Sequence, residues 1–560
     1  MWVSFKRQMN LAFLPFFCIT LQSESKKQKK MIESFAIYVI SMIVVISLLT
    51  MLGSKLKIAY PVLLVLFGLV VGLIPGLPKI TLDPELILII FLPPLLYESA
   101  MSVSVKEMRN WWRIILSYAF LLVLLTALSV ALLAVWLIPG ISLSTGFLLG
   151  GIVASTDAVS ANVIMKYVKV PSRVSTIIET ESMLNDASSL IVFSFALVAV
   201  ATGSFDAGQA SLLFLWMVLG GVGVGLLVTM ALVKLMRWLR TDTKVSIVLS
   251  LIAPYIMYLI GEAIGASGVL AVVSGGMMLG YSNVKILDSE TRIQGLNVWR
   301  NFAFLLNGFA FLLLGLDLPE VVSGIEQEGL SLVTVTLWGV ALTALIIVVR
   351  FGTSLAIMVF SWLCGKLNGD LNRKFLFDLP TCCIVGWSGM RGVLALAAAL
   401  SIPLVVEATG EPFPHRHLVL YLTFIIILIT LLLQGSTLSA LLKRVKFPEY
   451  NDHIPEDTAR RLIQMELSQW SLEYIQRHPA TTTEEQTLVD YLTEYWEDEL
   501  SQKKKIMPTK EEDKKYFYKL CQKQRMLLYH INREHPEISE EIIRQFVRNV
   551  DLEEERLKNG

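Results

Sequence analysis

The feature that most constrains this chain is a succession of long apolar runs between residues 31 and 446, joined by short polar loops. A helix needs ~20 apolar residues to cross the hydrocarbon core of a bilayer. Thirteen segments meet or approach that length, near 34–53, 58–74, 85–101, 114–138, 143–164, 174–202, 209–233, 245–263, 267–283, 299–318, 331–363, 379–403 and 417–442. Composition agrees. Of 560 residues, 54% are hydrophobic and 17% charged, whereas soluble proteins run nearer a quarter charged. The charge is unevenly placed and is dense in 447–560. The chain therefore reads as an all-α polytopic membrane protein in three parts: an N-terminal extension (1–30), a transmembrane domain (31–446) and a helical tail (447–560).

The loops set the orientation, because Lys and Arg concentrate on the cytoplasmic side. One set of loops carries Lys55, Lys57, Lys106, Arg109, Arg113, Lys166, Lys169, Arg173, Lys234, Arg237, Arg240, Lys244, Lys285, Arg292, Lys366, Arg373, Lys374, Lys443, Arg444 and Lys446. The other set holds only Lys79 and Arg416, and its loop EVVSGIEQEG is purely acidic. The first set is assigned to the cytoplasm, so the membrane domain starts outside and the tail is cytosolic. Within 1–30, LAFLPFFCITL is too short to span, and KKQKK (26–30) falls on the outer side. Lys6 and Arg7 before an apolar core suggest a signal peptide, yet no small-residue cleavage site follows. An upstream start codon, with Met31 as the first functional residue, is the preferred reading.

Five cysteines show neither a disulfide framework nor zinc spacing. All six histidines lie in a loop or the tail, which argues against an intramembrane metalloenzyme. Segments five and twelve both carry small and polar residues at mid-depth, GGIVASTDAVSAN and IVGWSGMRGVLAL. Interrupted helices at matching positions of two halves point to the site of an inverted-repeat transporter. Segments 1–6 and 8–13 then form two inverted six-helix repeats, with segment seven as connector.

Charge inside these runs needs a reason, since an ion at bilayer depth costs at least ~2.5 kcal/mol on insertion scales. In TESMLNDASSL (180–190), Glu181 and Asn185 share one helix face and Ser182 and Asp186 another, each pair being four residues apart. Thr156 and Asp157 lie at the interruption of segment five, flanked by Ser155, Ser160 and Gly150–Gly151. Hydroxyls, carbonyls freed by local unwinding and few formal charges suit reversible binding of a hard alkali cation. Asp157 is read as a ligand in preference to a simple cap on the following half-helix. Arg350 and Arg391 lie deep in segments eleven and twelve, and Glu98 near the end of segment three. Deep charges of opposite sign suggest pairs, and deleting one partner leaves a costly orphan; Glu181 with Arg350 is therefore assigned a structural role. Arg391 is read as compensating the dipoles of facing half-helix ends. For Glu98, an interfacial carboxylate and an ion-path carboxylate stand nearly even. In a partly desolvated cavity a carboxyl group holds its proton more tightly than in water. Proton and cation then compete for it near neutral pH, which favours an antiporter over a channel.

These residues resemble the monovalent cation:proton antiporter-1 family, which includes the bacterial NhaP-type and eukaryotic sodium/proton exchangers. The resemblance covers roughly 35–445 and rests on FLPPLLYES (91–99), STDAVS (155–160), ETESMLNDASSL (179–190), ASGVLAVVSGGMMLG (266–280), FLLLGL (311–316) and GWSGMRGVLALA (386–397), in that order. It implies a thirteen-helix fold with two broken crossing helices, elevator-type alternating access and a homodimer in the plasma membrane. By matching positions, Asp186 is the essential cation/proton carboxylate, with Asn185, Thr156, Asp157 and Ser182 around it and Glu98 contributing. Glu181 and Arg350 match the buried ion pair, and Arg391 the arginine of the second broken helix. Asn185–Asp186, in place of two aspartates, implies electroneutral exchange of one sodium or lithium ion for one proton. The resemblance implies a transporter with no cofactor and no nucleic-acid partner. Ala158 departs from the proline common after this aspartate, which leaves the break in segment five to local packing. Potassium/proton exchange is the alternative, and a cation channel or a membrane sensor signalling through the tail a more distant one. The tail is read as amphipathic helices around 455–477 and 511–534, solvated, with a polar break at PATTTEEQ.

Overall fold

In the computed structural model the described residues are 25–56, 60–74, 84–165, 170–202, 207–239, 242–367, 378–406, 411–445, 447, 456–477, most of 489–497, 511–535 and 537–559. The signal-like run LAFLPFFCITL and the PATTTEEQ break lie outside them. Among the described residues the chain is helical apart from turns and one isolated bridge between Val405 and Pro412. The helices are α1 (Ser25–Leu56), α2 (Tyr60–Gly72), α3 (Pro84–Ser102), α4 (Val105–Leu137), α5 (Leu143–Ala154), α6 (Ala158–Met165), α7 (Ser172–Thr202), α8 (Ala207–Leu239) and α9 (Thr243–Ala263). There follow α10 (Gly268–Ile286), α11 (Ser289–Gln327), α12 (Leu332–Leu367), α13 (Leu379–Trp387), α14 (Val393–Leu400), α15 (Arg416–Arg444), α16 (Glu456–Arg477), α17 (Glu511–Glu534) and α18 (Glu540–Asn559).

Each of the thirteen apolar segments falls on one helix or on a pair of half-helices. Eight helices are long and apolar enough to cross a membrane, and Tyr60–Gly72, Leu88–Ser102, Leu143–Ala154 and Gly268–Val284 are shorter apolar helices. Large apolar side chains on α1, α8 and α12 point outward, among them Leu212, Trp216, Leu227 and Phe360. Such a surface suits lipid and not water.

Two helices start earlier than hydropathy alone suggests. Lys106, Arg109 and Arg113, read from sequence as loop residues, occupy the first turns of α4. The cause is an N-cap: the Ser104 hydroxyl accepts from the Glu107 amide at 3.1 Å, three residues on. Arg292 likewise sits in the first turn of α11, which runs well beyond the apolar window in both directions.

Apolar side chains gather into two clusters in the membrane part. The larger joins α1, α2, Phe91 of α3, α4–α7 and α11–α15; the smaller joins the rest of α3, part of α7, α8–α10 and Trp299 of α11. Glycine lets α10 lie close against α3. A Cβ on Gly276 or Gly280 would strike the Tyr97 or Met101 backbone, so the helix that carries Glu98 is set by a glycine edge. α3 contributes to both clusters, Phe91 to the larger and Leu92, Leu96 and Tyr97 to the smaller.

The tail is not simply solvated. Its helices build a third core around Ile463, Leu467, Leu520, Leu528, Ile542 and Val547. They also contact the membrane part through polar groups on α18 and the α17–α18 turn. Amphipathic periodicity identifies an apolar face, but says nothing of what the polar face meets.

Candidate functional site

Two chain interruptions meet in the interior. Between α5 and α6, Ser155, Thr156 and Asp157 leave the helix; between α13 and α14, residues 388–392 do the same. Breaking a helix frees backbone groups that lipid cannot satisfy, and here several of them find partners. The Asp157 amide donates across the crossing to the Met390 carbonyl at 2.8 Å. The Thr156 amide donates to Asn185 Oδ1 at 3.3 Å, and the Ala158 amide to Ser182 Oγ at 3.0 Å. Ser182 Oγ in turn donates to the Thr156 carbonyl. In the second break, the Arg391 amide donates to Thr430 Oγ1 at 3.1 Å, where α15 opens into a π-turn over Thr430–Gln434. Gly392 lies against the Asp157 side chain with no room for a Cβ.

The TESMLNDASSL stretch sits on α7 beside the first break. Glu181 is fully buried and receives both guanidinium ends of Arg350, at 2.8 and 2.7 Å. Arg350 Nε donates to the Val385 carbonyl at 2.9 Å. Both amide hydrogens of Asn185 are taken up, by Thr156 Oγ1 at 2.7 Å and Glu181 Oε1 at 3.0 Å. Asp186, half-buried, accepts from Ser155 Oγ at 2.7 Å and stands in the electrostatic field of Asp157 and Glu181. Ser155 was named from sequence only as a neighbour of Thr156. Its direct bond to Asp186 could not be read from spacing within one segment.

Arg391 is buried; its Nε donates to the Val153 carbonyl at 2.7 Å and Nη1 to the Gly389 carbonyl. Val153 is in the last turn of α5, where carbonyls lack helical partners. The side chain thus places positive charge at the negative end of a half-helix dipole. Asp157 Oδ2 accepts from the Ser160 hydroxyl at 2.5 Å and from its amide at 3.4 Å. The carboxylate therefore caps α6, the alternative set aside in the sequence reading, while remaining beside the crossing. Glu98 is carried by α3. It is half-buried on the wall of a cavity between the ends of α3 and α8–α11 and the tail. Tyr60 is the residue that feels both Glu98 and Asp157.

The crossing thus assembles the carboxylates of Asp157, Glu181 and Asp186 with the guanidinium groups of Arg350 and Arg391. With every group ionised, acids exceed bases by one charge. Among the described residues, no group of three or more His, Cys, Asp and Glu side chains is arranged to hold a resident metal ion.

A model of the sodium/hydrogen exchanger transmembrane domain matches residues 41–444. The chain belongs to the sodium/hydrogen exchanger family. It is a multi-pass membrane transporter of the monovalent cation:proton antiporter-1 type. This exchanger is 31% identical over 423 residues to an uncharacterized Na+/H+ exchanger of Mycobacterium bovis, covering 75% of this chain and 76% of the relative. A sodium, potassium, lithium and rubidium/H+ antiporter of Bacillus pumilus is 32% identical over 396 residues, covering 70% of this chain and 58% of the relative. Its fold is similar to that of the sodium proton antiporter MjNhaP1 of Methanocaldococcus jannaschii, with a TM-score of 0.57 and 20% identity over 74% of this chain and 99% of that one.

Proposed function

We propose that the exchanger moves one sodium or lithium ion against one proton, with both competing for Asp186. The observation that carries this reading is the charge count at the crossing. Glu181 is matched by Arg350, and Arg391 offsets one further charge, so one more acid than base remains. A single proton or a single monovalent cation completes neutrality, and a neutral site costs least to carry through lipid. Each occupant brings the same charge, so exchange is electroneutral.

Asp186 supplies the exchanged carboxylate, with Ser155 Oγ beside it and Asp157 across the break. Thr156, Ser182 and Asn185 complete the polar surround of the unwound segment beside Asp186. Glu181 and Arg350 form the structural pair, and Arg391 compensates the half-helix ends. Glu98 acts on the approach to the site. Thirteen crossings in two inverted repeats, elevator-type alternating access, a homodimer, a plasma-membrane location and a cytosolic tail complete the reading. The basic loops and the paired interruptions support it.

The test is a proteoliposome assay in which sodium, lithium or potassium is added against an imposed pH gradient, with the membrane potential clamped or free. Sodium should collapse the gradient saturably and independently of potential; a gradient that survives sodium addition would sink the reading. A second reading, in which potassium is also carried, is favoured by the name of the Bacillus relative. The potassium arm of the same assay tests it.

A further inference from the structure

The tail meets the membrane part along a polar seam, and most of the charge in that seam is paired. Arg544 donates to the Ser102 and Val103 carbonyls at 2.7 and 3.0 Å and to Glu540 Oε1 at 2.8 Å. Glu540 Oε2 accepts from Ser104 Oγ at 2.6 Å. Lys106 Nζ donates to the carbonyls of His535 and Ile538, at 2.9 and 2.7 Å, and to Asn532 Oδ1 at 3.3 Å. Asp551 takes two bonds from Arg292, one of them at 2.9 Å, and a third from Arg525 at 2.7 Å. Glu555 accepts from Ser289 Oγ at 3.1 Å.

Two of these bonds also fix how the helices run. Glu555 meets Ser289 and Asp551 meets Arg292, so α18 lies antiparallel to α11. About two turns on from Arg292 along α11 comes Arg300, and about one turn back from Asp551 along α18 comes Arg548. Both line the cavity between the tail and the membrane part, whose volume is about 530 Å3. Both are exposed, and among the described residues neither makes a hydrogen bond or an ion pair.

On an open surface two such arginines are simply hydrated. Here they share a concave space of the size that small-molecule sites occupy, about 300–1,000 Å3. The cavity is not a basic patch, because Arg292, Arg300, Arg544 and Arg548 are matched in number by Glu98, Glu540, Glu541 and Asp551. What it offers is two guanidinium groups whose donors no protein acceptor uses. A guanidinium fork fits the oxygens of a phosphate in pairs. The acids in the same space limit how much negative charge can enter, which favours a phosphate ester over a triphosphate. The organic part of such a ligand has flat faces to lie on. Tyr281 of α10 and Tyr529 of α17 both line the cavity, with their hydroxyls bonded at 2.8 Å and their rings edge to face at 6.0 Å.

We infer that this cavity binds a phosphate ester of nucleotide size, with its phosphate held between Arg300 and Arg548. A nucleoside monophosphate from solution and the headgroup of an anionic phospholipid both present that group.

The experiment uses the full chain and reads binding alone, so its outcome is independent of the exchange reading. AMP and adenosine are titrated by calorimetry into wild type, Arg300→Gln, Arg548→Gln and Arg477→Gln in phosphatidylcholine nanodiscs. Arg477 is an exposed tail arginine outside the cavity and serves as the control for charge. The expected result is saturable AMP binding, weakened at least about tenfold by each cavity variant, unchanged in Arg477→Gln and absent for adenosine. A second arm compares amide exchange over 293–300 and 544–551 in nanodiscs with and without phosphatidylglycerol. Protection that requires phosphatidylglycerol and both arginines, with no AMP binding, supports the site and names the lipid headgroup as its source. Equal binding of adenosine and AMP overturns the inference, as does equal weakening in Arg477→Gln. It is also overturned if neither AMP nor phosphatidylglycerol has any effect. The substituted side chains are exposed, and matching melting temperatures for all four proteins exclude misfolding as the cause of lost binding.

Discussion

Two groups of charged side chains among the described residues, one at the seam with the tail and one at the helix crossing, differ by one charge. At the seam with the tail, Arg292 and Arg525 face Asp551 and Glu554, so bases and acids balance. At the helix crossing, Asp157, Glu181 and Asp186 face Arg350 and Arg391, so one acid is left over. A balanced set satisfies itself and fastens what it joins. An unbalanced set in the same low dielectric needs a mobile charge to complete it. Position separates them as well. The crossing is wrapped by apolar helices, while the seam borders a cavity.

The sharpest way to break this comparison is to balance the crossing. Asp186→Asn removes the surplus acid and should reduce exchange to the liposome background while expression and melting temperature stay near wild type. Retained flux would place the exchanged proton on another group. The next largest effect is on stability. Arg350→Ala strands Glu181 in the interior, an orphan worth about 3–5 kcal/mol, and should appear as a loss of folded yield. Adding Glu181→Gln should recover part of it. A stable Arg350→Ala protein with only a shifted pH profile would instead make the pair part of transport.

At the seam the corresponding change is milder. Asp551→Asn removes a buried acceptor of two arginines, about 1–3 kcal/mol. It should speed amide exchange in α18 and the first turn of α11 with the crossing untouched. A drop in folded yield as large as that for Arg350→Ala would show that the two sets do not differ in kind.

The smallest effect concerns acid. The His535 ring, bonded to Glu537 at 2.8 Å, holds that exposed carboxyl below its usual range. A depressed folded value contributes stability that is present above the unfolded pKa of about 4.3 and lost as pH falls through the folded one. Between pH 5 and 3, tail protection measured by hydrogen exchange should therefore weaken slightly more in wild type than in Glu537→Gln. Equal loss in both would remove Glu537 from the account.

Much of this could be read from the chain itself, because a membrane imposes simple periodicities. Apolar run length marks the helices, and Ser155–Asp157 and Ser388–Gly392 mark the breaks through their small and polar residues. The four-residue spacing in TESMLNDASSL groups Glu181 with Asn185 and Ser182 with Asp186. What each group meets is another matter. That Asn185 ties Thr156 to Glu181, and that Ser155 bonds Asp186, depends on how α7 leans on the first break. The capping of α6 by Asp157 depends on a rotamer. The docked tail was least legible of all. Lys106 and its partners on 532–538 are over four hundred residues apart in sequence, and a charged helix face looks the same whether it meets water or another charged surface.

Ala158 has one last consequence. Its amide hydrogen bonds to Ser182 Oγ, and a proline there would have no hydrogen to offer. In this chain the kink is enforced from outside, by a serine on the neighbouring helix, and is not a property of the kinked segment. Ser182→Ala should loosen the break in this chain, and a proline at 158 would make that hydroxyl dispensable for the kink.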